Sequence, residues 1–322
     1  MNIYKRFREF GGWRLVRAYW RMGLLGRAVV ELAKMPFGRS NKVHSYSRLL
    51  KHVELHLKTQ FRPVLQALKT EHESHDYEHL RSKKVWFCWL QGIDDAPEIV
   101  KACLHSQQIV LKDREVIVIS EANFSNYVEM PDFFVRRYRE GRIPRALFSD
   151  VLRLELLIRY GGTWMDASLL CTGTNYPPAV FDCNLFMFRY PGPDGRIASS
   201  LSISNWFITS CTNNILLLIL RDLLYSYWKT YDCTVNYYIF HQFFAWIAAE
   251  YPLEMDHMPR GSSLAAIALG KKLDNNEPYD ETWMNAHISR CCFNKLSCRV
   301  SPKMKSDPNN YYSHIISFAN SL

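Results

Sequence analysis

From Lys84 onward, apolar positions come in short unbroken runs separated by stretches of helical character. Val85-Trp86-Phe87-Cys88-Trp89-Leu90 is continuously apolar, as a strand buried on both faces of a largely parallel sheet should be. Gly92 breaks the run, and Pro97 opens a helix through Glu98, Val100 and Leu104 to about Ser106. Val116-Ile117-Val118-Ile119 predicts a second buried strand, and Pro131 to Glu140 predicts a helix stopped by Gly141. Strand, helix and strand in this order predict a right-handed βαβ unit.

The stretch from Phe148 to Gly173 carries the most information. Leu152, Leu156, Leu157 and Tyr160 supply the buried side of a helix, and Asp150 and Arg153, three residues apart, share another face of it. Gly161-Gly162 ends this helix, the first glycine fitting a left-handed cap. Thr163-Trp164-Met165 follows as a strand, with Asp166 at or near its carboxyl end, where open α/β sheets bind ligands. A strand-end carboxylate and a carboxylate–guanidinium pair on the preceding helix can thus converge on one cleft. Taken singly, each feature has an ordinary reading, as an intrahelical ion pair or a plain turn.

Ahead of Lys84 the pattern differs. Trp13, Val16, Trp20 and Leu24 form an apolar stripe at helical spacing with Arg14, Arg17 and Arg21 beside it, interrupted by Gly11, Gly12, Gly23 and Gly26. Such a helix suits an anionic membrane surface, where each basic residue contributes about 1 kcal/mol. It equally suits packing on the body of the protein with its arginines solvated. Residues 63–83 read as a connector. His72, His75 and His79 would share one helix face there, but the interspersed acids and the lack of apolar support favour a solvated helix or linker over a metal site.

Composition sharpens this picture at two points. The 322 residues are 48% hydrophobic and 22% charged, which excludes a disordered chain. The net charge of +9 is local: residues 1–62 hold 14 Lys/Arg against three Glu, a net +11, leaving 26 basic against 28 acidic residues elsewhere. A protein-wide nucleic-acid surface is therefore not expected, although a basic peripheral protein binding nucleic acid through residues 1–62 remains a rival reading. Nine cysteines, irregularly spaced from Cys88 to Cys298, point to a reducing compartment. Cys291-Cys292 with Cys298 lacks a fourth zinc ligand, and His241, in an aromatic-rich helix from Tyr237 to Trp246, reads as a core histidine. The longest uncharged stretch, Ile197 to Leu220, is interrupted by serines, threonines and asparagines and does not read as a membrane span. No signal-peptide pattern opens the chain, so a cytoplasmic protein is expected.

The run FSDVLRLELLIRYGGTWMDAS resembles the signature of family-32-type glycosyltransferases, with Ser-Asp-x-x-Arg on a helix, Gly-Gly, an aromatic and an Asp-led motif. It is nearest to the capsular polysaccharide synthesis branch. The run Lys84 to Gly92 followed by Pro97 is similar to the family's first strand and nucleotide loop. Asn205-Trp206-Phe207-Ile208, Tyr227-Trp228 and Tyr238-Ile239-Phe240-His241 resemble its second half, and Asn294-Lys295-Leu296-Ser297 its closing motif.

The resemblance covers roughly residues 84–300. It implies a GT-A (Rossmann-like) nucleotide-sugar-binding domain over 84–310, a basic, mainly helical region over 1–83, and a tail at 311–322. It implies retaining transfer of a hexose from a nucleotide-sugar, as a UDP-sugar, to a lipid-linked or growing surface polysaccharide at the cytoplasmic leaflet. By carry-over, Asp166 holds a divalent cation (Mn²⁺ or Mg²⁺) or the ribose, with Ser168 as second ligand. Asp150 and Arg153 hold donor-sugar hydroxyls, Lys295 approaches the diphosphate, and Trp86 and Trp206 stack on base or sugar, core burial being the competing fate of either ring. Two positions depart from the pattern. Ser168 stands where the family's second acid would be, and Asn294 where its closing histidine would be. They leave open a non-catalytic nucleotide- or saccharide-binding scaffold.

Overall fold

The structure, a computed structural model, describes residues 11–34, 39–190 and 203–322, and side chains other than those of 32–47. The helices are α1 (Gly12–Arg21), α2 (Leu25–Lys34), α3 (Arg39–Glu73), α4 (Glu98–Val110), α5 (Asp132–Arg139), α6 (Arg145–Tyr160), α7 (Ile215–Thr230), α8 (Ile239–Glu250), α9 (Pro252–His257), α10 (Ser263–Ala266), α11 (Ala268–Asp274), α12 (Glu281–Ile288), α13 (Pro302–Ser306) and α14 (Tyr311–Asn320). The strands are β1 (Lys84–Cys88), β2 (Glu115–Ile119), β3 (Gly162–Asp166), β4 (Leu169–Cys171), β5 (Leu185–Arg189), β6 (Ile203–Ser210) and β7 (Phe293–Lys295).

Two compact units result, each assembled from separate segments: 1–76, 130–151 and 215–250 in the first, 77–129, 152–214 and 251–322 in the second. The seams therefore do not fall at the sequential boundaries 83 and 310.

The first unit is helical. In α3, Leu49, Val53, Leu57, Phe61 and Leu65 are buried at four-residue spacing, which puts them on one face. That face meets α7, on which α8 packs in turn. The Phe61 ring lies 5.5 Å from Phe243 and 6.3 Å from Tyr227. Two polar contacts secure the end of α3: Lys69 Nζ to Glu250 Oε2 at 2.9 Å, and His72 Nε2 to Asp222 Oδ2 at 2.8 Å. Pro63 sits inside α3, so the helix runs through the expected connector and only residues 74–83 connect.

His72 is buried against Asp222, while His79 lies beyond the helix with Nδ1 on the Thr212 carbonyl at 3.0 Å. The three histidines do not share a helix face. Among the described residues no group of three or more His, Cys, Asp or Glu is placed to hold a metal ion.

The N-terminal stripe also resolves differently from its sequence pattern. Helix α1 buries Ala18 and Tyr19, leaving Trp13 80% and Trp20 68% exposed. Arg14, Arg17 and Arg21 are exposed beside them. Of the other N-terminal cations, Lys5, Arg6, Arg8 and the side chains of Lys34, Arg39 and Lys42 lie outside the described residues, as do 197–202 of the long uncharged stretch. Among the described residues no helix is long and apolar enough to cross a membrane.

The second unit carries a five-stranded sheet in the order β2-β1-β3-β6-β5. Strand β1 is parallel to both β2 and β3, whereas β6 runs antiparallel to β3 and β5 antiparallel to β6. Unbroken apolar runs fit β1 and β3 because both are interior strands. Val85, Trp86 and Phe87 are fully buried. Helix α4 links β1 to β2 and extends a turn beyond the sequence expectation.

One core cluster joins α4 (Ile99, Val100, Cys103) to Leu170, Leu269, Leu273 and α14. The residues expected to form a tail are thus core: Tyr311, Tyr312, Ile315 and Ala319 are buried, and Tyr312 Oη donates to Glu98 Oε2 at 2.7 Å. Burial and that carboxylate push the Tyr312 phenol well above its usual range. A second sheet pairs β4 with β7, antiparallel, Leu169 opposite Lys295.

Candidate functional site at the carboxyl end of β3

The site is built where α6, β3 and β7 bring charged side chains together in a largely apolar unit. Helix α6 ends at Gly161 (φ +64), and β3 begins at Gly162 (φ +90). An added Cβ at Gly162 would stand 2.3 Å from the Lys84 carbonyl oxygen. The missing side chain is what lets β3 enter the sheet directly against β1. Parallel pairing then aligns Cys88 with Asp166, so the last residue of β3 emerges at the carboxyl edge of the two central strands.

Asp166 is the focus of this edge. Trp164, two residues earlier and hence on the same strand face, donates its indole N–H to Asp166 Oδ1 at 2.9 Å. Arg153 Nη1 lies 3.7 Å from the same oxygen. Lys295 Nζ lies 3.4 Å from Oδ2 and donates to Ser168 Oγ at 2.5 Å.

Arg153 is only 4% exposed. Its guanidinium stacks 4.7 Å over the Trp164 ring, and Nη1 donates to the Asn205 carbonyl. Two cations therefore face one carboxylate, whose side chain is about a quarter exposed (26%). An ammonium and a guanidinium beside a partly exposed carboxylate suit a ligand bearing phosphate oxygens.

Lys295 is held from its backbone as well as its head group. Its strand pairs with Leu169, the Leu296 N–H donates to the Ser168 carbonyl at 2.8 Å, and Gly270 of α11 packs so closely that a Cβ there would lie 2.3 Å from the Lys295 carbonyl oxygen. Neighbouring Asn294 is fully buried. Its Oδ1 accepts from His287 Nε2 at 2.6 Å, while its amide donates to Thr172 Oγ1 and the Cys291 carbonyl. Asn294 therefore orders the β4–β7 sheet and offers no oxygen to a ligand.

Other expected site residues fall elsewhere. Asp150 is buried one helical turn before Arg153 in α6. Trp86 is a correction: its ring is fully buried, its N–H donates to the Gly161 carbonyl at 2.9 Å, and Tyr160 and Tyr127 pack around it. It seals the α6–β3 turn against β1. Trp206 is a second correction, since it is buried and stacks on Phe188 at 4.7 Å. Neither ring has a free face for a base or sugar.

The tryptophan that does stand at the sheet edge is Trp89. It is half-buried just beyond β1, its backbone N–H donates to the Ile119 carbonyl, and its buried indole N–H has no acceptor among the described residues. Sequence reasoning passed over Trp89, Trp164 and the Asn205 carbonyl. The i, i+2 spacing of Trp164 and Asp166 was a usable signal, whereas nothing in the sequence marks a backbone carbonyl.

Burial pushes Cys88, which aligns with Asp166, up to about 12. All nine cysteines are unpaired, and Cys298 alone is exposed.

The donor set does not fit a resident divalent cation. Asp166 and Ser168, the two expected ligands, both bind Lys295 Nζ, and hard cations of this kind call for several oxygen ligands with carboxylates among them.

An interior parallel pair with a charged cluster at its carboxyl edge is the arrangement of an α/β ligand-binding protein. A family model for capsular polysaccharide synthesis proteins matches residues 35–315. The chain belongs to the capsular polysaccharide synthesis protein family. No curated protein matches the sequence. A solved structure described as PaToxG Glycosyltransferase is similar over 82% of this chain and 97% of its own, at 14% identity and a TM-score of 0.37.

Proposed function

We propose that the chain is a family-32-type glycosyltransferase with a GT-A fold, moving a hexose with retention of configuration from a nucleotide-sugar, as a UDP-sugar, to a growing capsular or related surface polysaccharide. The observation that carries this reading is the meeting of Arg153 and Lys295 at Asp166 on the carboxyl edge of β3. Capsule synthesis joins sugars, and activated sugars leave from a diphosphate. Fixed cations where that leaving group gathers negative charge stabilise the transition state, because they need no reorganisation during the reaction. In this reading Arg153 and Lys295 face the diphosphate, Asp166 orients them and the donor, and Trp89 replaces Trp86 as the ring beside the nucleoside.

Nucleotide release from a panel of UDP-, GDP- and CMP-sugars tests the reading, because slow donor hydrolysis does not require the acceptor. One donor is expected to release nucleotide above background. No release and no donor binding by folded protein would move the assignment to a nucleotide- or saccharide-binding scaffold.

The acceptor in this proposal is a lipid-linked saccharide, and the chain works peripherally on the cytoplasmic face of the membrane. The support is the pair of outward tryptophans on α1, Trp13 and Trp20, with Arg17 and Arg21 exposed on the same helix. Such a surface gains from both ring insertion and anionic headgroups. Co-sedimentation with phosphatidylglycerol-containing vesicles is expected for the full chain and lost in the Trp13→Ser/Trp20→Ser variant. Equal sedimentation of both proteins would remove α1 from any membrane contact. Salt-sensitive binding to DNA or RNA that residues 1–62 carry would favour the nucleic-acid rival instead.

A further inference from the structure

We infer that this site works without a divalent cation, the ammonium of Lys295 doing the electrostatic work that a metal would do at the donor diphosphate. The inference rests on the glycosyltransferase reading above for the identity of that ligand, and on three observations for the rest.

The first concerns position. A cation bridging Asp166 and Ser168 would have to lie between their oxygens, and Lys295 Nζ lies there, 3.4 Å from Asp166 Oδ2 and 2.5 Å from Ser168 Oγ. The second concerns the remaining capacity of the carboxylate. Its other oxygen accepts the Trp164 indole N–H and faces Arg153 Nη1 at 3.7 Å. A divalent ion added here would meet the Lys295 ammonium and the Arg153 guanidinium, and like charges at such range repel strongly in a partly buried setting.

The third concerns rigidity. The backbone that carries the ammonium lies in a strand, with Lys295 paired to Leu169 and covered by the close approach of Gly270. The serine at 168 is then no defect. A hydroxyl accepts a hydrogen bond from the ammonium and leaves its charge uncancelled, whereas a second carboxylate would neutralise it. With Arg153 alongside, the site presents an ammonium and a planar guanidinium, both suited to phosphate oxygens.

Two measurements on the full-length protein decide the matter. Titration with Mn²⁺ alone, followed by electron paramagnetic resonance, is expected to show no stoichiometric site below about 1 mM. A one-to-one site lost in Asp166→Ala would overturn the inference. Calorimetry with UDP, GDP and CDP, in EDTA and again in Mn²⁺, is expected to find one nucleoside diphosphate bound equally well in both.

For that ligand, Lys295→Gln should weaken binding at least about tenfold, as befits loss of a charge-assisted contact. Lys295→Arg should restore most of the affinity, and the parent nucleoside should bind all three proteins alike. Diphosphate binding that requires Mn²⁺ overturns the inference while upholding the donor reading. Wild-type diphosphate affinity in Lys295→Gln, shown folded by its near-ultraviolet circular dichroism, overturns it in the same way. Failure to bind any nucleoside diphosphate in either buffer removes the donor reading itself and the inference with it. Should Lys295→Gln not fold, the two wild-type arms still decide.

Discussion

Replacing Asp166 by asparagine is expected to lower nucleotide release by about 10²-fold or more while leaving the protein folded. The expectation follows from what the amide keeps and what it loses. Its carbonyl oxygen can still accept the Trp164 indole N–H that the carboxylate accepts at 2.9 Å, so the local hydrogen bond and the side-chain volume survive. The negative charge that orients Arg153 and Lys295 does not.

A change to one preorganised polar group at a reacting centre typically costs 10²–10³ in rate, about 2.7–4 kcal/mol of barrier. The loss should fall mainly on turnover, with a smaller change in donor affinity, because the two cations remain to hold the diphosphate. Asp166→Ala is the harsher substitution. It removes the carboxylate that faces the Arg153 guanidinium and the Lys295 ammonium, and deleting one member of a buried pair destabilises by about 3–5 kcal/mol. The quarter exposure of Asp166 and the presence of Lys295 place this case at or below the low end of that range. Denaturant unfolding of both variants beside the activity assay separates the two effects. An Asp166→Asn protein with wild-type release would remove Asp166 from the catalytic machinery.

Gly162→Ala is expected to produce the largest stability loss among the glycines flanking the site, about 3 kcal/mol or more. Two effects combine there. Its φ of +90° is a conformation that a side chain disfavours, by about 1–2 kcal/mol for the left-handed region. The new methyl would also stand 2.3 Å from the Lys84 carbonyl oxygen, and that contact is relieved only by prying β3 away from β1, an overpacking that costs about 1–3 kcal/mol.

Gly161→Ala, with φ +64° and nearest carbonyl oxygens at 3.0 and 3.1 Å, should lose distinctly less. Urea unfolding midpoints of the two variants give the ranking. A Gly162→Ala protein as stable as wild type would show that the β1–β3 seam opens readily. The same seam positions Asp166 opposite Cys88, so activity is expected to fall with stability at this position.

The ease with which β3 and its flanks could be read has a local cause. Helix α6 announces itself through Leu152, Leu156 and Leu157, stops at a glycine pair, and is followed by residues that favour a strand. Each of these signals lies within a few residues of the element it specifies. The placement of Asp166 at a strand end, and of Asp150 and Arg153 one turn apart on one helix, follows from helical and strand periodicity alone. Strands β1 and β2 and helices α4 and α5 were legible for the same reason, with ends off by a turn or less.

The misread tryptophans show where this reasoning stops. Trp86 and Trp89 sit in one apolar run, and periodicity cannot say which of two rings leaves the sheet. Hydrogen bonding decided it: β1 lies between β2 and β3 and ends at Cys88, so Trp86 is enclosed and Trp89 is at the edge. The helical region behaves likewise. Nothing local to 63–73 shows that α3 continues through Pro63, because its stabilisation comes from α7 and α8, residues 215–250, whose aromatic rings it covers.

What the sequence by itself determined was therefore the run of elements from β1 to β3, the α/β character of the chain, and the carboxylate at the end of β3, all consequences of short-range pattern. The tertiary structure alone decided how Lys295, 127 residues beyond Ser168, reaches Ser168 and Asp166 through the β4–β7 pairing. It likewise decided that Asn294 would be spent on His287 and Thr172, and that residues 311–322 would be core. Those outcomes depend on which apolar faces find one another, and burial of apolar surface, being non-directional, leaves no mark of its partner in the local sequence.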